Sequence, residues 1–299
     1  MADSTAPSAP LDAPIVAAVD GSSSSYHAVA WAAVDAALHR CRLHLITSVA
    51  IPTGFGRGIT LPDAEIEWLR TDGERVVTEA TRVARQAAPD DDLEISTEVT
   101  FDFIIPTLLA RSEQARLVAV GSRGLGAFQR GLLGSVSTAV PRHAHCPVAV
   151  IHSLSAIDAV SASKPVLVGI DGSDNSVPAT EVAFEEASRR KVGLVALHAW
   201  SDTSTIELPV AGWDGVRESE QAVLAESLAG WSERYPDVPA RRIVVSDRPV
   251  RALYDESANA QLLVVGSHGR GGFAGMVLGS TSNALLHSVE CPMIVVRCR

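Results

Sequence analysis

The chain has 299 residues, 46% of them hydrophobic and 20% charged, with a net charge of −10. That is the composition of a globular protein with room for two domain cores, and no apolar run reaches the length a bilayer span needs. The acidic balance argues against nucleic acid and anionic membrane as partners.

Met1 to Ala13 is acidic and rich in Pro and Ser, without the basic-then-apolar order of a signal peptide, so a disordered tail is expected. In the first half, short β-branched apolar runs alternate with longer helical patterns. Strands are predicted at Ile15 to Val19, Leu43 to Val49, Leu93 to Phe101, Leu117 to Val120 and Val148 to His152. Helices are predicted over Ser24 to His39, Glu65 to Ala87 and Pro106 to Ser112, and from Val136, where Pro141 is expected to interrupt the last. The small polar stretch from Ser153 to Lys164 reads as a linker. Strands then return at Val166 to Ile170, Leu194 to Trp200, Ile243 to Val245, Leu262 to Val265 and Met293 to Val296. Runs such as Leu262-Leu263-Val264-Val265 are apolar throughout, as strands covered by helices on both faces must be. The predicted fold class is α/β, two doubly wound open parallel five-stranded sheets in tandem, Rossmann-like, with helices on both faces. The expected division is a tail at 1–13, a first domain at 14–153, a linker at 154–164 and a second domain at 165–299.

The halves repeat each other. Gly121-Ser122-Arg123-Gly124 is followed after nine residues by Gly134-Ser135, and Gly266-Ser267-His268-Gly269 after nine by Gly279-Ser280, at an offset of 145 (266 minus 121). The same offset carries Ser137 onto Ser282 and Cys146-Pro147 onto Cys291-Pro292. Upstream, Asp20-Gly21-Ser22 matches Asp171-Gly172-Ser173 at an offset of 151 (171 minus 20). A full frame written twice is an architecture rather than a chance turn. Each frame follows a late strand and opens a helix, so glycine lets the chain approach a ligand while free backbone N–H groups and hydroxyls converge; phosphate is the natural occupant. No G-K-[ST] occurs, so this is not a Walker loop, and the glycines follow a late strand rather than the first, unlike the dinucleotide fingerprint. Asp20 and Asp171 fall directly after first strands, where doubly wound sheets bind ligands. They could contact a base or ribose edge or a divalent ion, or simply begin the turn that caps the next helix. A side chain at Gly124 or Gly269 is expected to stand where phosphate approaches.

With these residues in place, the chain resembles a tandem universal stress protein of the ATP-binding type, with that family's G-x2-G-x9-G-[ST] motif in both halves, the first-strand aspartates and the closing Cys-Pro strands. The likeness runs over Pro14 to Ile151 and Pro165 to Arg297 and is greatest to tandem actinobacterial members. It implies the fold of the adenine nucleotide alpha hydrolases and one ATP per domain, with Mg²⁺. It implies base contacts near Ala18, Val19 and Asp20, near Gly169, Ile170 and Asp171, at Ser48 and Ala199 on the second strands, and at Val120 and Val265 before the loops. The triphosphate contacts it implies are Gly121, Arg123, Gly124, Gly134, Ser135, Val136 and Ser137, and Gly266, His268, Gly269, Gly279, Ser280, Thr281 and Ser282. Two departures stand out. Family members often carry His before the base-contacting residue of strand two; His198 matches but the first half has Thr47. Where many have Asp before the fourth strand, this chain has Arg116 and Gln261.

Other candidates read as structural. His143-x-His145-Cys146 has a metal-like look, but the second half holds Ser288, Glu290 and Cys291 there, and no other ligand cluster is evident. Arg130 matches Gly275 and is expected in solvent. Arg241, Arg242 and Arg248 are expected on a solvated face, and Trp31, Trp68, Trp213 and Trp231 are expected to pack. Ser22 to Ser25 reads as a helix start. Four cysteines make no disulfide framework at this length and are expected reduced, in a cytoplasm. The leading expectation is a nucleotide-binding regulator of stress or dormancy with little or no turnover. The alternatives are a slow ATP-hydrolysing enzyme of the same architecture, which would need a poised base, a lysine or arginine set on the γ-phosphate and a pocket for a second substrate, and a cyclic-AMP-binding scaffold. The two domains are expected to cover each other's apolar edge strands, with a further homodimer and a protein partner that reads ligand occupancy.

Overall fold

Short runs of Val, Ile, Leu and Ala become strands here because both their faces are buried and their backbone groups find partners only in a parallel ladder. The computed structural model describes residues 13–50, 62–89, 92–124, 133–152, 159–200, 213–270 and 278–297, the side chains of 159 and 213–216 excepted. The chain divides into two compact units after Ile151.

In the first unit the elements run β1 (Ile15–Ala18), α1 (Ser23–His39), β2 (Leu43–Ser48), α2 (Asp63–Ala87), β3 (Ile95–Thr100), α3 (Ile104–Ser112), β4 (Leu117–Gly121), α4 (Ser135–His143) and β5 (Val148–Ile151). The strands are parallel and stand in the order β3-β2-β1-β4-β5. Helices α1 and α2 cover one face of this sheet, and α3 and α4 the other. Every residue of β1 and β5 is buried, so the core is the sheet itself, sandwiched between helices. Helix α1 presents Ala28, Val29, Trp31, Ala32, Ala33 and Ala36 as buried residues; alanine keeps it close to the strands.

The second unit repeats the plan. A short helix, α5 (Ala159–Ala162), lies within the segment read as a linker. Then come β6 (Val166–Gly169), a 3-10 turn at Asp174–Ser176, α6 (Val177–Arg190), β7 (Leu194–Trp200), α7 (Trp213–Leu228), α8 (Trp231–Arg234), β8 (Ala240–Ser246), α9 (Pro249–Ser257), β9 (Leu262–Gly266), α10 (Ser280–Ser288) and β10 (Met293–Val296). Their order, β8-β7-β6-β9-β10, is that of the first unit, again parallel.

Several expectations meet corrections. Trp68 is 67% exposed on α2 and does not pack into the core, while Trp31 is buried and Trp231 stacks with Phe184 and Tyr235. Pro141 does not end α4, which runs on to His143; it sits in the last turn, where losing one amide donor costs a single bond. Strand β8 starts three residues before Ile243 because its ladder with β7 runs from Ala240 to Ser246. Arg241 and Arg242 are exposed there, as the solvated-face reading requires. Ser22 caps α1, its Oγ accepting from the Ser25 amide at 3.2 Å. Cys41, Cys146 and Cys291 are free thiols. Arg130, Gly275 and Cys298 lie outside the described residues, as does the Trp213 side chain.

Candidate functional site

Because β2 lies on one side of β1 and β4 on the other, the strand order reverses between β1 and β4, leaving a crevice at their carboxyl ends. Asp20-Gly21-Ser22 leaves β1 at that point. Gly21 has φ +86° and Gly172 φ +75°, a left-handed conformation that glycine adopts without strain. The turn is held by the aspartate: Ser22 N and Ser22 Oγ donate to Asp20 Oδ1 at 3.0 and 2.6 Å. In the second half Ser173 N and Oγ donate to Asp171 Oδ1 at 3.0 and 2.7 Å. One carboxylate oxygen of each aspartate therefore organises the turn, and the other faces the glycine loop.

That loop leaves β4 at Gly121. A Cβ there would lie 2.7 Å from the carbonyl oxygen of Ser24, so only glycine lets the strand end pass the start of α1. A Cβ on Gly124 would collide with Asp20 Oδ2, and one on Gly269 would lie 2.6 Å from Asp171 Oδ2. This corrects the expectation about side chains at Gly124 and Gly269: such a side chain meets the aspartate first, not the phosphate. Gly134 behaves differently. Its Cβ would point among Ser137 Oγ at 3.5 Å, the Gly124 amide at 3.6 Å and the Arg123 Cα at 3.8 Å, all ordinary contacts. The space in front of Gly134, between Ser137 and the Gly124 amide, is thus the cradle. Gly134 N donates to the Ser122 carbonyl and Gly279 N to the Ser267 carbonyl, tying each helix start to its strand end.

Helices α4 and α10 begin there without a side-chain cap. The first intrahelical bonds run from Thr138 N and Asn283 N to the Gly134 and Gly279 carbonyls, so the preceding amides at Ser135, Val136 and Ser137, and at Ser280, Thr281 and Ser282, are donors with no helical partner. The hydroxyls of Ser137 and Ser282 turn inward: Ser137 Oγ donates to the Ser122 carbonyl at 2.9 Å, and Ser282 Oγ to the Gly266 carbonyl at 2.6 Å. They latch the loop, and their main-chain amides are what they offer outward. Arg123 is exposed at the mouth, its amide donating to Ser24 Oγ at 3.3 Å, whereas His268 is bonded through Nδ1 to Ser267 Oγ at 3.0 Å.

The strand-end residues line the floor. Ala18, Val19, Val120, Ile170 and Val265 are buried, so each can offer only main-chain groups or an apolar edge. Ser48 Oγ donates to the Asp102 carbonyl at 2.7 Å and is spoken for, and Ala199 is half-buried in the matching place. Thr47 is buried beside Gly73 of α2, where any side chain would strike Val99 and Val49.

The second half holds a network that the sequence did not announce. His198 is buried on β7, with Nδ1 2.7 Å from the Ile170 carbonyl and Nε2 2.6 Å from Glu220 Oε2 of α7. Arg270 Nη1 lies 3.9 Å from the same carboxylate oxygen, and the Arg270 amide donates to Asp171 Oδ2 at 2.7 Å. Glu220 carries no sequence signal, being one charge among several on its helix; Arg270, following Gly269, could have been noticed as a cation beside the frame. A groove of about 980 Å³ lies apart from this crevice in the first unit, lined among others by His44, Ser96, Glu98 and Arg111. The His143 to Cys146 segment is structural: the His145 amide donates to Ser112 Oγ at 2.9 Å, and Cys146 is buried. Within the two glycine frames, residues 125–132 and 271–277 lie outside the described residues.

Comparison with known proteins places this arrangement. The model of the universal stress protein family matches residues 13–152 and again 162–297. A universal stress protein of Mycobacterium tuberculosis is 48% identical over 284 residues, which are 95% of this chain and 96% of the relative. A second from that organism is 42% identical over the same share. Among solved structures, a universal stress protein from Archaeoglobus fulgidus superposes with a TM-score of 0.68 at 21% identity, covering 95% of this chain and 98% of the other, a likeness of fold.

Proposed function

This chain belongs to the universal stress protein family, and from that premise we propose that it binds ATP, one molecule per half, as a nucleotide-dependent regulator of a stress or dormancy response. One observation carries the reading. In both halves the uncapped start of a helix, α4 or α10, faces a strand-end glycine and an aspartate across the crevice where the strand order reverses. Open amides at the positive end of a helix are a phosphate site, and three successive amides with a loop opposite suit a chain of phosphates better than a single cyclic one. The buried strand ends would take the base, with main-chain groups near Val19 and Ile170 reading its edge. Mg²⁺ would come with the triphosphate, since it is commonly held by one or two carboxylates and phosphate oxygens; Asp20 and Asp171 are the carboxylates each half offers.

The same inventory argues against efficient chemistry. Phosphoryl transfer needs a base or oriented water at the γ-phosphate, and neither glycine frame carries a carboxylate. Lys164 and Lys191 are the chain's lysines, and neither falls in a glycine frame. Turnover well below the enzyme median of about 10 s⁻¹ is expected, with the output passing to a protein partner that distinguishes occupied from empty loops. Among the described residues no helix is long and apolar enough to cross a membrane. Mass spectrometry of small molecules released from protein purified in Mg²⁺ tests the reading. Adenine nucleotide approaching two per chain is expected, and its absence, together with no heat of ATP binding, would refute it.

A further inference from the structure

We propose that the phosphate-binding cation of the second half is Arg270, whose guanidinium, beside Glu220, a polyphosphate draws onto itself. This rests on the nucleotide reading above and goes beyond it, because the frame itself points to His268. At the position where the first loop carries Arg123, the second carries His268, a side chain that is bonded to Ser267 Oγ and has no fixed charge. Two residues on, the second loop supplies Arg270 where the first has Leu125. The two halves therefore place their arginine at different points of the same loop.

Three contacts locate it. The Arg270 amide donates to Asp171 Oδ2 at 2.7 Å, which pins its Cα at the carboxyl end of β6, beside the cradle. The guanidinium passes over the Asp171-Gly172 turn: a Cβ on Gly172 would lie 2.5 Å from Arg270 Nη2. Its tip then stands 3.9 Å from Glu220 Oε2 with the Arg270 side chain 49% exposed. That pair is long, open to water on the arginine's side and shared, because the same Oε2 already meets His198 Nε2 at 2.6 Å. Exposed pairs of this kind are weak, whereas a bidentate guanidinium–phosphate contact is among the strong charge-assisted bonds. A triphosphate entering the crevice would thus win the arginine from the carboxylate.

His198 explains why Glu220 is there to release it. The buried imidazole has an acceptor at each ring nitrogen, the Ile170 carbonyl at 2.7 Å and Glu220 at 2.6 Å, so a proton lies between His198 and Glu220 whichever of them owns it. Glu220 stays partnered when Arg270 leaves, and no carboxylate is stranded. Among the described residues the first half has no such device: Thr47 replaces His198, and Gly73 of α2 packs against it. Without a guanidinium, Asp171 would face an incoming polyanion with like charge; Arg270 converts that repulsion into attraction that grows with the number of phosphates.

The test uses the full chain carrying Gly134→Val, which fills the first cradle, and titration calorimetry with ATP and with AMP. Arg270→Gln is expected to weaken ATP binding at the second site by about tenfold or more while AMP changes little; Arg270→Lys should fall between, and Glu220→Gln should leave ATP binding as tight or tighter. ATP affinity within twofold of the parent in Arg270→Gln would overturn the proposal alone, as would an equal loss for AMP. If neither the parent nor the unmodified chain binds ATP, the nucleotide reading fails and takes this one with it.

Discussion

Gly124 and Gly134 belong to one frame and do different work. The missing Cβ of Gly124 makes room for Asp20 Oδ2, and that of Gly134 keeps the cradle between Ser137 and the Gly124 amide open. Valine at the two positions should therefore have distinguishable effects. Gly134→Val is expected to abolish ATP binding in the first half, with unchanged far-UV circular dichroism and a melting temperature near that of the parent. Gly124→Val should displace the aspartate and lower stability as well as affinity. Calorimetry alongside thermal melts checks both, and a Gly134→Val chain that still binds two ATP would remove the cradle from the site. The serines teach a similar lesson. Ser137 and Ser282 occupy matching places in the repeat, yet their hydroxyls close the loop on the Ser122 and Gly266 carbonyls. Spacing located the residues but could not say which of their atoms face outward, because that depends on a side-chain rotamer and on a carbonyl fifteen or so residues away.

At the scale of elements, the start of α1 joins stability to the site. Ser22 Oγ accepts from the Ser25 amide while donating to Asp20 Oδ1. Removing it should cost about 1 kcal/mol of stability, as lost N-caps do, and should also loosen the aspartate, leaving its Oδ1 with the Ser22 amide. Ser22→Ala is predicted to lower the urea midpoint and weaken ATP binding in the first half together, whereas Ser22→Thr, which keeps the hydroxyl, should restore both. Unfolding curves and calorimetry on the pair decide it: a cap effect without an affinity effect would detach Asp20 from the ligand. Elements with a clear period or a run of β-branched residues were legible in advance, to within a few residues. Those that were not had tertiary causes. Strand β8 extends through two arginines because β7 offers it a ladder, and Trp68 stays in solvent because its face of α2 meets no partner within the described unit. Helix α4 runs past Pro141 because the loss of one amide in a last turn is small beside its packing on α3 and the sheet.

For the whole molecule, two copies of one frame carry unlike chemistry. His44, Glu98 and Arg111 form a bonded cluster in the first unit: Glu98 Oε2 accepts from Arg111 Nη2 at 2.8 Å and lies 3.0 Å from His44 Nε2. The matching positions in the second unit are Val195, Ile243 and Glu256. Burial alone would raise the Glu98 carboxyl, but bonds from Arg111 and His44 outweigh it and hold the group below its ordinary value. A carboxylate with a depressed folded value stabilises above its unfolded pKa of about 4.3 and loses that contribution as pH falls through the folded value. Wild type should therefore exceed Glu98→Gln in stability near neutrality, and the gap should close below about pH 4; a gap independent of pH would assign the cluster to packing alone. The duplicated glycine frame, the strand–helix alternation, the aspartates at strand ends and membership of the family were all readable from the chain, since periodicity and short-range turn chemistry are written in consecutive residues. The convergence of His198, Glu220 and Arg270 was not. These residues come from a strand, a helix and a loop separated by 22 positions between the first two and far more to the third, and only the seating of α7 over the sheet brings one carboxylate to both a buried imidazole and an arginine. Tertiary structure decided that, because helix orientation follows from packing summed over a whole face rather than from any local motif.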